Sequence, residues 1–270
     1  MKRAGARAYF VAGRKNYLGG GLFRKAWAID SVSEVRDFQQ IGELQADLVY
    51  DKGGFTRRDV LVVTDPKLNP VLADKTLMYR RFGRLQPQTE ICVNKTELSA
   101  AMEQMPGEMV VVKNPWGSGG RQVYVGKKGD VRIPADERYP LLVQEFIDMS
   151  DGVPGMIEGP HDVRVLVAGG TMIGGTLRWP QAGNLRANVA QGGGQRLLDQ
   201  AEIPDELRAI VREIDAELED LPRYYSIDFA RGKTGWKMIE LNNKPGLFPE
   251  AIGPLARTYM DSLARYLVSL

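Results

Sequence analysis

Apolar and polar positions along this chain repeat with a period of two over several short runs and with a helical period over a few longer ones, which predicts a mixed α/β protein. Apolar residues at helical spacing predict a helix over Glu34 to Leu44, and the runs Leu48-Val49-Tyr50 and Val60 to Val63 predict strands. Asp65-Pro66 and Asn69-Pro70 break the pattern ahead of a helix beginning near Leu72, which carries Asp74, Lys75, Leu77, Met78 and Phe82. Asn94, with Glu97 three residues on, predicts the cap of a helix through Met102. Strands are expected on either side of a loop from Asn114 to Gly120, then near Val131 to Ile133 and at Leu141 to Gln144.

Asp148 to Pro160 is rich in Gly, Asp and Pro and reads as a connector into strands at Asp162 to Ala168 and Thr171 to Leu177. Pro204 marks the first turn of a helix whose stripe is Leu207, Ile210, Val211, Ile214 and Leu218. A hairpin follows, Tyr224 to Ala230 and Trp236 to Asn242, and a closing helix runs through Leu255, Tyr259, Leu263 and Leu267. The expected organisation is a reduced N-terminal α/β segment (1–70) and two α+β units (71–147 and 148–270).

Composition narrows the chemistry. The chain has 270 residues, 43% of them hydrophobic, enough for a sizeable core. A net charge of +2 gives no reason to expect nucleic acid or an anionic membrane as partner. The apolar stretch Ala8 to Ala12 is too short for a signal peptide and no run is long enough to span a bilayer, so a cytoplasmic location is expected. One cysteine, Cys92, and one histidine, His161, exclude an internal disulfide, a thiolate zinc cage and multi-histidine metal sites. The chemistry falls to carboxylates, lysines and arginines.

Two features carry candidate chemistry. The loop Asn114 to Gly120 is longer than chain reversal needs, and Gly117, Gly119 and Gly120 let backbone N–H groups approach an anion, with Lys113 beside them. Taken alone it reads equally well as a flexible hairpin, and neither a P-loop nor a dinucleotide fingerprint is present. In the late hairpin, Glu240 and Asn242 share one strand face, Ile239 and Leu241 point to the core, and Asp228 falls opposite Glu240. Facing carboxylates repel unless a cation or proton lies between them, and this hard-oxygen set suits magnesium. A solvated polar face is the plain alternative.

The ordered set Lys75, Lys113-x-Pro-x-Gly-Ser-Gly-Gly-Arg, Gln144-Glu145-Phe146-Ile147, Asp162-x-Arg164, Arg178, Arg186-Ala187-Asn188, Gly192-Gly193, Asp228 and Glu240-x-Asn242-x-x-Pro245-Gly246 resembles the ATP-grasp carboxylate-amine ligases. The likeness runs from about Asn69 to about Leu247 and is greatest to the branch of glutathione synthetase and the RimK-type ligases.

The resemblance implies an ATP-grasp fold, two α+β subdomains clamping ATP, with Lys75 and Lys113 on the phosphates and Gly117, Ser118, Gly119 and Gly120 closing over them as a lid. It implies that Gln144, Glu145, Phe146 and Ile147 form the hinge beside adenine and that Asp148 or Asp151 meets the ribose. Asp228, Glu240 and Asn242 would hold Mg2+, with Mn2+ as the alternative ion, and Arg164, Arg178, Arg186 and Asn188 would be catalytic. The implied reaction joins a small-molecule or peptide carboxylate to an amine through an acylphosphate; a non-ligating ATP-binding module and a kinase acting on a hydroxyl are the other readings. His161, Trp116 and Trp179 receive no role, and homo-oligomerisation stays open. Only about seventy residues precede Lys75, fewer than in relatives, which leaves the acid and the amine unassigned.

Overall fold

A computed structural model of the chain describes residues 6–28, 39–52, 54–117, 122–181, 192–248 and 253–270. Its first elements are short strands: β1 (Tyr9–Phe10), β2 (Tyr17–Gly19), β3 (Leu22–Phe23), β4 (Ala26–Ala28), β5 (Gln39–Ile41), β6 (Leu44–Gln45), β7 (Leu48–Tyr50) and β8 (Leu61–Val63). They form the antiparallel sheets β1-β4-β5 and β2-β3-β6 and the parallel pair β7-β8. The helix expected over Glu34 to Leu44 is corrected where residues are described: Gln39 to Ile41 pair with β4, and Leu44-Gln45 pair with β3. Apolar residues three apart suggested a helix, but Gly42 weakens one, and the strands gain ladder partners far away in sequence. This segment is therefore a small β unit among the described residues, cored by Phe23, Val49 and Val62, with the rings of Tyr17 and Phe55 against Phe23.

One expected helix divides in two, α1 (Asn69–Ala73) and α2 (Lys75–Phe82). The division is at Asp74, whose extended backbone lets its carboxylate accept from the N–H groups of Thr76 (2.8 Å) and Leu77 (3.3 Å) and cap α2. Then come β9 (Thr89–Cys92), α3 (Lys95–Gln104), β10 (Met109–Lys113), β11 (Val123–Lys127) and β12 (Leu141–Glu145), paired as the antiparallel sheet β11-β10-β12-β9. Asn94 caps α3 as expected, accepting from Glu97 N at 2.9 Å. Strand alternation puts Val110, Val112, Leu141 and Val143 under α3, against Leu98 and Ala101, and turns Val111, Lys113 and Gln144 to the opposite face. The strand expected at Val131 to Ile133 does not form; Val131 and Ile133 pack against the same apolar cluster without joining a ladder.

The second sheet, β15-β14-β13-β16-β17, is built from β13 (Asp162–Ala168), β14 (Thr171–Trp179), β15 (Gly194–Leu198), β16 (Tyr224–Gly232) and β17 (Gly235–Asn242). Two helices accompany it, α4 (Asp205–Glu217) and α5 (Pro254–Ser269). On one face Val163, Val165 and Val167 join Ile227 and Phe229 under α4, where Leu207, Val211 and Ile214 complete the apolar stripe. The other face changes character along its length: Leu166, Ala168 and Tyr224 lie under Tyr259 and Leu263 of α5, while Asp162, Arg164 and Asp228 continue the same rows as charges. An irregularity in the β16-β17 register pairs Asp228 with Glu240 but Phe229 with Met238, so Ile239 is the extra residue. Leu241 is buried as expected, but the bulge turns Ile239 into the cleft between the sheets. Among the described residues no helix is long and apolar enough to cross a membrane.

The α5 face also fixes a steric requirement. The Tyr259 hydroxyl accepts from Gly175 N (3.2 Å) and has the carbonyls of Gly175 (2.9 Å) and Leu198 within reach of its one proton, and a Cβ at Gly174 would overlap its ring. Gly174→Ala is expected to destabilise the protein by about 1–3 kcal/mol, read as a lower urea midpoint with an unchanged m-value; an unchanged midpoint would show that Tyr259 is not packed this closely.

Candidate active site

The register of the second sheet places Arg164 of β13, Asp228 of β16 and Glu240 of β17 side by side on one face. Arg164 holds Asp228 by two parallel bonds, Nε to Oδ1 at 2.6 Å and Nη2 to Oδ2 at 2.7 Å. Arg178 of β14 adds a third, Nη2 to Oδ2 at 2.7 Å, and uses its Nε on Asp162 Oδ1 at 2.5 Å. Burial alone would push Asp228 up, but the two guanidiniums outweigh it and hold its carboxyl well below the ordinary range. Asp162 has mainly Arg178 to offset its burial and lies near the Asp228 charge, so its carboxyl is pushed up to about 7. The facing of Asp228 and Glu240 calls for positive charge between them, and side chains of the chain itself supply it at both carboxylates. Glu240 lies 3.4 Å from the Lys75 ammonium.

The lysines approach from the other sheet and from α2. Lys75 Nζ donates to Gly117 O at 2.6 Å, Lys75 N donates to Pro115 O at 3.2 Å, and the Trp116 indole donates to Asp74 Oδ2 at 3.0 Å. The root of the Gly-rich loop is thus docked on the start of α2. Lys113 Nζ donates to Gln144 Oε1 at 2.6 Å, and burial pushes the lysine down to about 8, opposed by Glu240 and reinforced by Lys75. Glu137 grips both stems of the loop, accepting from Asn114 Nδ2 (2.8 Å), Gln122 Nε2 (3.1 Å) and the Tyr124 hydroxyl (2.5 Å).

These groups surround a cleft of about 440 Å³ between the sheets. One wall is apolar, from Val111, Val125, Ile147, Met149 and Ile239, and the floor carries Lys75, Lys113, Arg164, Arg178, Asp228 and Glu240. A planar apolar group at the wall with an anion over the floor is what such a cavity suits. Asp228, Glu240 and Asn242 offer only hard oxygens, the donor type magnesium accepts. Each of these donors is already engaged, Asn242 by an N–H from Lys244 at 2.9 Å, so a cation would share or exchange partners. Among the described residues no group of three His, Cys, Asp or Glu side chains forms a separate metal centre.

Of the residues singled out from the sequence, Lys75, Lys113, Gly117, Gln144, Glu145, Phe146, Ile147, Arg164, Arg178, Asp228, Glu240 and Asn242 line this one cleft. Asp148 and Asp151 do not line it, and Asp148 pairs instead with Lys233 at 2.8 Å. Ser118, Gly119, Gly120, Arg186 and Asn188, and with them the expected lid, lie outside the described residues. His161 also lines the cleft, and its ring is held between Gly159 O (2.8 Å from Nδ1) and Arg231 N, which donates to Nε2 at 3.2 Å. Sequence reasoning missed Ile239, whose exposure depends on the bulge, and Thr89, which reaches the site only through a partner strand. Beyond β17, Lys52 Nζ donates to the carbonyls of Lys244 (2.8 Å) and Pro245 (2.6 Å), and Lys244 Nζ lies 3.1 Å from Asp51.

Two α+β sheets closing on a cleft of lysines, arginines and carboxylates define the ATP-grasp class, and comparison with known proteins agrees. The chain belongs to the RimK-like ATP-grasp domain family, which it matches over residues 73–252. It is 32% identical over 157 residues to a glutathione synthetase of Prochlorococcus marinus, covering 55% of this chain and 45% of that protein. It is 26% identical over 172 residues to a probable alpha-L-glutamate ligase of Psychromonas ingrahamii, covering 62% and 53%. The chain thus spans about half the length of the curated relatives it matches. In fold it is similar to a RimK domain ATP-grasp protein of Sphaerobacter thermophilus, with a TM-score of 0.56 at 18% identity, over 78% of this chain and 72% of that one.

Two stability experiments follow from the charge pattern. Asp228→Asn leaves two buried guanidiniums undercompensated and is expected to cost roughly 3–5 kcal/mol, whereas Glu240→Gln, facing one lysine, is expected to cost less than about 1 kcal/mol; equal losses in chemical denaturation would contradict the arginine clamp. For Lys113, the folded state releases its proton near 8 and the unfolded chain near its ordinary 10.5. Between those values the unfolded chain binds more protons, so this lysine makes stability rise with pH, and its penalty is complete below about pH 8. Lys113→Met is therefore expected to stabilise the ligand-free protein at pH 7 by on the order of 1–3 kcal/mol and to flatten that rise. Destabilisation at pH 7 would show that the lysine is not held against a burial penalty.

Proposed function

We propose that this chain is an ATP- and magnesium-dependent ligase that joins a carboxylate to an amine, with an amino acid or peptide among its substrates. The single observation that carries the reading is the convergence of Lys75, Lys113, Arg164, Arg178, Asp228 and Glu240, drawn from both sheets and α2, on one cleft with an apolar wall. Family membership and relatives named as glutathione synthetase and probable alpha-L-glutamate ligase support the same reaction class.

In this reading the apolar wall receives adenine beside Glu145, Phe146 and Ile147, while Lys75 and Lys113 face the phosphates. Asp228, Glu240 and Asn242 would hold magnesium, which when bound neutralises phosphate charge. A substrate carboxylate oxygen attacks the γ-phosphorus and the bond to the β-phosphate oxygen breaks, giving an acylphosphate and ADP. The amine nitrogen then attacks the acyl carbon, the carbon–oxygen bond to the phosphate breaks, and the departing phosphate carries off the proton that the nitrogen gives up. Arg164 and Arg178 supply fixed, already oriented charge where the acyl and phosphoryl oxygens build up negative charge.

Hydroxylamine, supplied with MgATP and a panel of amino acids and peptides, is expected to trap a hydroxamate in step with ADP release. Glu240→Gln is expected to keep its fold and lose activity by orders of magnitude at limiting magnesium. ADP release without hydroxamate or amide, and with a phosphorylated hydroxyl instead, would replace this reading by a kinase; near wild-type turnover in Glu240→Gln would remove Glu240 from the metal site.

A further inference from the structure

Three polar side chains form a chain of hydrogen bonds that runs from the cleft lining into the interior behind it. The Thr89 hydroxyl donates to Pro87 O at 2.9 Å, Gln144 Nε2 donates to Thr89 Oγ1 at 2.8 Å, and Lys113 Nζ donates to Gln144 Oε1 at 2.6 Å. All three residues are buried, and the β10-β12 and β12-β9 registers set Thr89 and Gln144 on the face that carries Lys113.

The direction of this chain is not free. A hydroxyl has one proton, and Thr89 spends it on a carbonyl that can only accept, so toward Gln144 the hydroxyl can only accept in turn. That requires the amide nitrogen of Gln144 to face Thr89 and its oxygen to face Lys113. A reversed amide would set N–H groups against an ammonium and leave the hydroxyl oxygen facing a carbonyl oxygen. With Lys113 held through one donor, its other two remain to be directed into the cleft. Lys75, the other lysine on the floor, is held differently, by Gly117 O and near Glu240.

We propose that Thr89 is a positioning residue for nucleotide binding: its hydroxyl fixes the Gln144 amide, and that amide aims the Lys113 ammonium at the phosphates. The inference rests on the nucleotide reading of the cleft. Its effect should fall on ligands that carry phosphates and spare those that do not, because neither Thr89 nor its hydroxyl belongs to the apolar wall.

The experiment is calorimetric titration of the full chain with MgATP and with adenosine. Thr89→Val keeps the shape and removes the hydroxyl; it is expected to weaken MgATP binding about tenfold or more and leave adenosine binding unchanged within about twofold. Thr89→Ser restores the hydroxyl and is expected to bind both ligands like the wild type. Should Thr89→Val not fold, Thr89→Ala is the second variant, with the same loss for MgATP and the same sparing of adenosine, since Thr89 itself does not line the cleft. Wild-type MgATP affinity in either variant, or an equal loss for both ligands, overturns the positioning role while leaving the nucleotide site in place. A wild-type protein that binds neither ligand overturns the nucleotide reading itself and the inference with it.

Discussion

A buried carboxylate is tolerated only where its charge is met, and the clamp of Arg164 and Arg178 on Asp228 meets that condition for the polar half of the second sheet. The three residues come from three adjacent strands, so the ion pairs also fix how β14, β13 and β16 lie against one another at the cleft. Two residues further along β13, the same face is apolar and roofed by α5. One sheet face thus serves as core at one end and as site at the other, and charge pairing allows the change without an intervening loop. A ligand arriving at the floor meets groups that already have partners, so binding there is an exchange of partners more than a filling of gaps.

Much of this was legible in the sequence, where local rules decide. The cap of α3 follows from Asn94 and Glu97, and the facing of Asp228 and Glu240 follows from counting back from the hairpin turn. Helical stripes on α4 and α5 named the residues that are buried there. What was not legible depends on partners remote in sequence. The Arg178 bond to Asp228 joins residues fifty apart, and nothing local to either announces it. Ile239 was assigned to the core by strict alternation, and a single extra residue in β17 moved it to the cleft. Gln144 was read as one residue of a hinge, whereas its side chain gains meaning only once β9 is known to lie beside β12.

The N-terminal segment shows the same limit more sharply. Its strands are two or three residues long; the apolar runs of β7 and β8 were legible, but the others are too short for periodicity to register, and apolar spacing around β5 and β6 suggested a helix that the described residues do not form. The RimK-like match begins at residue 73, so these strands lie outside the family's shared domain.

They are nonetheless tied to it at a sensitive place. Lys52 holds the carbonyls of Lys244 and Pro245, and Asp51 answers the Lys244 ammonium, in the stretch of chain that directly follows Asn242. For protein engineering, the apparent seam near residue 70 is therefore not a place to cut. A shortened variant, or a chimera carrying a relative's leading domain, would leave two main-chain oxygens and a cation beside the floor of the cleft in need of new partners, so the grafted piece would have to bring an equivalent of Lys52 and Asp51.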